Sequence, residues 1–211
     1  MKKPQISPQI SSRLIIAALS ILWLILAGAG LWIVSEYENT PGIAAAPSAQ
    51  FPVESQLKRL AGRPTLVMLA HPHCPCTRAS MGELELLMAQ TQGRVTTYVL
   101  FLKPPGFTDD WEKTDLWQTA SDIPGVEVVQ DKDGKEAVFF NAATSGQTFL
   151  YDADGQLLFK GGITSGRGHS GDNAGRSAIV ALLNESKAEQ IETAVYGCPL
   201  FNKNSECPMP Q

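Results

Sequence analysis

Hydrophobic spacing changes character along this chain. Leu14 to Val34, "LIIAALSILWLILAGAGLWIV", is a run of 21 residues without a charge. A helix of that length rises about 30 Å, the thickness of a bilayer core, so the pattern predicts a membrane-spanning helix. Later apolar runs are shorter. Val53, Leu57 and Leu60 mark one face of a short helix ending at Gly62. "TLVMLA" (Thr65 to Ala70) is continuously apolar, as in a strand buried on both faces. Met81, Leu84, Leu87 and Met88 then follow a helical period. "VTTYVLFL" (Val95 to Leu102) is β-branched and aromatic, a second strand. A loop and a helix carrying Trp111 and Trp117 lead to a strand in "GVEVVQD" and a short helix in "KEAVFFNAA". "QTFLYDADGQLLFKGG" sets a turn at Asp152 to Gly155 between two apolar strands, a hairpin. "AGRSAIVALLNESKAEQIETAV" reads as a closing helix. The order β-α-β-α-β-α-β-β-α predicts an α/β fold, a mixed sheet with helices on both faces.

The pattern divides the chain into an N-terminus (1–13), an anchor (14–34), a linker (35–54), a domain (55–195) and a cysteine-containing tail (196–211). Lys2, Lys3 and Arg13 precede the anchor, while Glu36 and Glu38 follow it. This asymmetry places the N-terminus in the cytoplasm and the domain outside, as in a single-pass inner-membrane protein with a periplasmic domain. Trp32 and Tyr37 suit the far interface. The alternative is a signal peptide cleaved near "AAAP" (Ala44 to Pro47), but a signal's apolar region is usually only about 7–15 residues. "ENTPGIAAAPSAQFP" has the composition of an extended, semi-flexible tether. Seventeen Lys and Arg, less the three before the anchor, face 21 Asp and Glu. The exported part is therefore acidic, which excludes a basic nucleic-acid-binding surface.

Four cysteines, Cys74, Cys76, Cys198 and Cys207, would sit in an oxidising compartment, where pairing is the default. Three connectivities are open. Cys74 and Cys76 lie in "HPHCPCTRAS", at the start of the first domain helix. There, unpaired N–H groups and the helix dipole favour a thiolate. Pro75 suits a first helical position, and Arg78 adds charge one turn along. Cys74 is therefore expected to be more acidic than the ~8.5 of a free thiol. A Cys74–Cys76 disulfide is tight and easily reduced; alternatively Cys76 or a tail cysteine resolves a mixed disulfide formed by Cys74. A competing chemistry is metal binding. His71, His73, Cys74 and Cys76 offer soft ligands for copper or zinc, though structural zinc sites usually draw on separated pairs.

The stretch resembles the thioredoxin-like superfamily, in particular its membrane-anchored periplasmic thiol–disulfide oxidoreductases, over about residues 55 to 195. Their strand-to-helix motif "WCPPCRAEMPEL" is similar to "HCPCTRASMGEL" at Arg78, Ala79, Met81, Glu83 and Leu84. Cys74 then matches the nucleophilic cysteine, Thr77 the position of the second, and Cys76 falls one place early. "TFLYDADGQLLFKGG" likewise resembles the family hairpin "TFLIDRDGRIVYRG". The resemblance implies a thioredoxin-like sheet and thiol–disulfide exchange through Cys74, with Cys76 as local partner in a Cys-Pro-Cys variant site. It implies no cofactor, and protein clients plus a redox partner protein. Two departures stand out: the Cys-x-Cys spacing, and Gly146 where the family carries a cis-proline, with Ser145 before it. A redox-inactive binding module on the same fold is the remaining alternative.

Cys198 and Cys207 lie in a turn-rich tail and are expected to pair, closing a small loop; a resolving role for one of them is the alternative. "GGITSGRGHSGDNAGR" (161–176) is a Gly-rich loop that, in the resembled fold, can approach the cysteines. Arg167 and His169 are its candidates for assisting the thiol chemistry, against the plainer reading of a helix cap. The loop has no phosphate-binding glycine motif. "DKDGKE" lacks a calcium-loop pattern and reads as a solvated turn. Trp111, Trp117, Phe139 and Phe140 are expected in the core.

Overall fold

A computed structural model of the chain describes residues 8–108, 110–185 and 187–201. It falls into two units, divided between Asn39 and Thr40. The first is α1 (Pro8–Asn39), apolar from Ser12 onward and long enough to cross a membrane. Its large side chains, Trp23 and Leu24 among them, are exposed.

The second unit is a five-stranded sheet with the element order read from the sequence. Its strands are β1 (Thr65–Ala70), β2 (Thr96–Lys103), β3 (Val126–Lys132), β4 (Thr148–Tyr151) and β5 (Leu157–Gly161). Its helices are α2 (Thr77–Thr91), α3 (Asp115–Asp122), α4 (Lys135–Phe139) and α5 (Ala174–Glu185). The strands lie in the order β3-β2-β1-β4-β5. β1, β2 and β3 run parallel, while β4 is antiparallel to both β1 and β5. This mixed sheet flanked by helices is a thioredoxin-like fold.

Central β1 is buried at all six positions, which is why it reads as a continuous apolar run. Leu66, Met68 and Ala70 pack on one face against Met81, Leu84 and Leu87 of α2 and Ile179 of α5. Val67 and Leu69 pack on the other with Phe140, Phe149 and Tyr151. Each such side chain contributes about 1.5–3 kcal/mol on burial. The β4–β5 turn closes as expected: the Asp152 carboxylate accepts the N–H groups of Asp154 and Gln156, and Gly155 supplies φ +89°. Phe140 is fully buried and Trp117 packs on Phe101, whereas Phe139 is only half-buried.

Three segments differ from the sequence expectation. Residues 53–60 form no helix, and Val53 is 92% exposed. Buried Glu136 instead accepts the Gln56 N–H at 2.8 Å and the Ser55 hydroxyl at 2.7 Å, holding the stretch irregular. The expected tether does not run free. Ala45 and Phe51 are buried in the core, and the Leu157 N–H donates to Ala49 O. The closing helix ends at Glu185 rather than near Val195. Residues 191–194 return alongside β5 and its exit, through Lys160 N–H to Ile191 O, Thr193 N–H to Lys160 O and Gly162 N–H to Ala194 O.

One buried cluster joins the Gly-rich loop to α2. Glu83, with its side chain 1% exposed, accepts from Arg176 at 2.5 Å, Asn173 at 2.9 Å and the Gly171 N–H at 2.7 Å. Glu83, one of the residues that carry the family resemblance, here anchors the loop that bears Arg167. At the end of β3, Asp131 accepts the N–H groups of Glu136 and Ala137, fixing α4. Asp131→Ala should therefore destabilise the domain by about 1–3 kcal/mol through unmet buried donors. Chemical denaturation reads this, and an unchanged midpoint refutes it.

Candidate active site

β1 runs directly into the cysteine turn. The Cys74 N–H donates to His71 O at 3.1 Å, and the Thr77 N–H donates to Cys74 O at 3.1 Å. The turn hands over to α2, whose N-cap is Cys76 in helical conformation. The helix thus starts two residues later than Pro75, and Cys74 sits just before its N-terminal end. Cys74 is only 1% exposed and Cys76 is 7% exposed.

A second loop, Thr144 to Gln147, faces the turn. The Ser145 hydroxyl accepts the His71 N–H at 2.8 Å and shares a 2.7 Å hydrogen bond with Thr77 Oγ1. Gly146 stands where the resembled family has its cis-proline, and the described residues contain no cis peptide. Its N–H donates to Leu69 O at 2.7 Å, a bond proline cannot make, and its φ is +87°.

The tail closes the site. Ser145 N–H donates to Cys198 O at 2.9 Å, and Leu200 N–H donates to Ala143 O at 2.8 Å. Thr144 and Pro199 form an antiparallel bridge, and Leu200 is buried in the core. This strand-like pairing carries Cys198 onto Cys74, and the Cys198 N–H lies 3.3 Å from Cys74 Sγ. Close approach requires Gly197, because a Cβ there would fall 2.0 Å from Ser145 O. Arg167 clamps the same segment. Its Nε donates to Thr40 O at 3.1 Å, and its Nη1 donates to Gly197 O at 2.6 Å.

Cys74 is held at a pKa of about 4. The main cause is a hydrogen bond from the Cys198 thiol; further bonds from Thr77 and the Cys198 backbone add to it against an opposing effect of burial. Cys198 is correspondingly raised, since it donates to Cys74 and is also buried. Burial and then the neighbouring Cys74 push Cys76 up, while Arg167 draws it and Cys198 down. The arrangement is one thiolate, at Cys74, with a proton held beside it on Cys198.

The structure brings together Cys74, Cys76, Thr77 and Arg167 of the expected site, sets beside them Cys198, for which a resolving role was the alternative expectation, and adds Ser145. Arg78 does not serve the thiolate, being paired with Asp115 at 2.5 Å on the surface. His169 is exposed on the Arg167 loop. Cys198 is a free thiol, and Cys207, its expected disulfide partner, lies outside the described residues. Half-buried Trp111 packs against the core, as expected, and also against His73 and His71 at the edge of the cysteine turn, with ring centroids 4.6 and 5.6 Å away. His73 Nε2 lies 3.1 Å from Trp111 O, and His71 Nδ1 accepts the His73 N–H. Among the described residues, no three His, Cys, Asp or Glu side chains are grouped to hold a metal ion. The sequence marks Ser145 only as the neighbour of the cis-proline position, and nothing in it marks Gly197 as a point of close approach.

Gly197→Ala should force the tail away from Ser145. The prediction is several-fold faster modification of Cys74 by a bulky maleimide, followed by peptide mass mapping. Unchanged protection means the tail does not cover the thiol.

No protein-family model matches the chain, and no curated protein sequence matches it. Solved structures do. An uncharacterized conserved protein from Geobacillus kaustophilus aligns at TM-score 0.55 and 18% identity, over 79% of this chain and 94% of that one. A hypothetical protein from Sinorhizobium meliloti 1021 aligns at 0.54 and 17%, over 76% and 93%. A secreted Mycobacterium tuberculosis disulfide oxidoreductase aligns at 0.38 and 21%, over 46% and 68%. The first two similarities show a shared fold across nearly all of the domain.

Proposed function

We propose that this chain is a membrane-anchored, extracytoplasmic thiol–disulfide exchange protein with Cys74 as its nucleophile. One observation carries the reading. Cys74 Sγ sits at the entry to α2 in a thioredoxin-like sheet, and it receives hydrogen bonds from Thr77 and from both the thiol and the N–H of Cys198. Those donors stabilise a thiolate at neutral pH, and the thiolate is the attacking species in disulfide exchange. Clients on this reading are proteins with accessible disulfides or dithiols, and a separate redox protein resets the site. α1 supplies the anchor, with the basic flank of residues 2–13 kept in the cytoplasm.

The full-length protein in detergent should accelerate insulin reduction by dithiothreitol, and Cys74→Ser should return the rate to that of dithiothreitol alone. Equal rates for the two proteins refute the role of Cys74. In cells, the chain should stay in membranes after alkaline extraction, and protease added outside the inner membrane should digest the domain. Release by alkali, or protection from protease, refutes the anchored topology.

A further inference from the structure

Cys74 and Cys198 lie 124 positions apart, yet the fold builds a dedicated support for their meeting. The tail pairs with Ala143, Thr144 and Ser145 through backbone contacts. Leu200 is buried beyond Cys198, and Arg167 grips the Gly197 carbonyl before it. Gly197 leaves room for the crossing. Cys76 also makes a side-chain hydrogen bond with Cys74, but no docked strand or buried anchor presents it. It sits in helical conformation at the N-cap of α2, two positions from Cys74, a spacing at which a disulfide is geometrically tight. We infer that Cys198, docked by the tail strand, is the resolving cysteine of this site, forming a reversible Cys74–Cys198 disulfide. The inference rests on the exchange reading above and names the thiol that completes it.

The chemistry balances. With the tail lifted to admit a client disulfide, the Cys74 thiolate attacks one client sulfur. A Cys74–client bond forms, the client S–S bond breaks, and the departing client thiolate takes the proton held on Cys198. The loss of negative charge on Cys74 removes the largest of the effects that kept Cys198 protonated, with burial the next, and Arg167 favours the new Cys198 thiolate. When the tail settles back, Cys198 attacks Cys74 Sγ. This breaks the Cys74–client bond and releases the second client sulfur as a thiolate, which takes its proton from water. Two electrons pass from Cys74 and Cys198 to the client, whose disulfide is the oxidant. A dithiol reductant returns the pair to its starting state. Because Cys74 is 1% exposed beneath the tail, the same segment must also gate client entry.

The test uses reduced full-length protein in detergent with oxidised glutathione as the disulfide, followed by mass spectrometry with peptide mapping. The wild type, Cys76→Ser and Cys207→Ser should each form a Cys74–Cys198 bond through a short-lived glutathione adduct on Cys74. In Cys198→Ser and Cys198→Ala that adduct should live at least about tenfold longer, since the resolving thiol is gone. Thermal melting checks that both variants are folded, and the serine variant keeps nearly the original volume. Glutathionylation of Cys74 that resolves equally fast without Cys198 overturns the inference while leaving the exchange reading intact. So does mapping that finds Cys74–Cys76 or Cys198–Cys207 as the bond formed. No adduct on Cys74 in any variant overturns both.

Discussion

Arg176→Ala should lower the unfolding free energy of the domain by about 3–5 kcal/mol, the usual cost of stranding one member of a buried ion pair. Glu83 has its side chain 1% exposed and lies 2.5 Å from Arg176, whose own side chain is 10% exposed. Without the guanidinium, the carboxylate keeps only Asn173 and the Gly171 N–H as partners. A domain of this size has about 5–15 kcal/mol in total, so the loss is a large fraction of its stability. Replacing both partners, Glu83→Leu with Arg176→Met, should recover much of the loss, because an apolar pair leaves no buried charge. Urea denaturation of the two variants against wild type reads the difference. Equal stability of Arg176→Ala and wild type would show that the pair is not buried as described. The consequence reaches the site, because the Glu83 cluster anchors the loop that presents Arg167 to Gly197. Arg176→Ala should therefore also loosen the tail and expose Cys74.

The sheet was readable because its strands are local apolar signals. β1 and β4 carry their burial in consecutive residues. Segments that pack without periodicity were not readable. Ala45 and Phe51 are single buried contacts in a stretch of small residues, which reads as a tether. Ile191, Thr193 and Val195 alternate as a strand does, but they follow a helical pattern that masks the change. In the site, Cys74 was legible from its place before a helix, and its low pKa agrees in direction. The expected charge partner, Arg78, is adjacent in sequence but engaged with Asp115; the groups that lower Cys74 are instead the hydrogen-bond donors Cys198 and Thr77, while Arg167, from a distant loop, acts on Cys76 and Cys198. The approach of Cys198 depends on backbone pairing between residues 143–145 and 198–200. No local pattern in the sequence encodes that pairing.

Acid titration should find Cys74 ionised far below the ordinary thiol range. In the reduced protein the ultraviolet thiolate band should persist through neutral pH and disappear around a midpoint of about 4. A free thiol near ~8.5 would carry only a few per cent thiolate at pH 7, so the ionised population is larger by more than about tenfold. Variants should rank by the donor they remove. Cys198→Ala, which loses the strongest donor to the thiolate, should raise the midpoint most, and Thr77→Val should raise it less. The sign for stability follows from the same shift. Cys74 titrates lower when folded than when unfolded, so as pH falls from about 9 the unfolded chain takes up the proton first. The stabilisation from the thiolate is therefore full above that pH, shrinks through the window, and is gone below about 4. Except at the top of this window, where the unfolded Cys198 begins to ionise, Cys198 is protonated in both states, since folding moves its titration upward, and it does not offset the trend. The stability of wild type relative to Cys74→Ser should thus decline steadily as the solution is acidified. A midpoint near the ordinary thiol value, or a stability difference that does not vary with pH, would mean that the bonds from Cys198 and Thr77 do not hold a thiolate, and the nucleophile would have to be sought elsewhere.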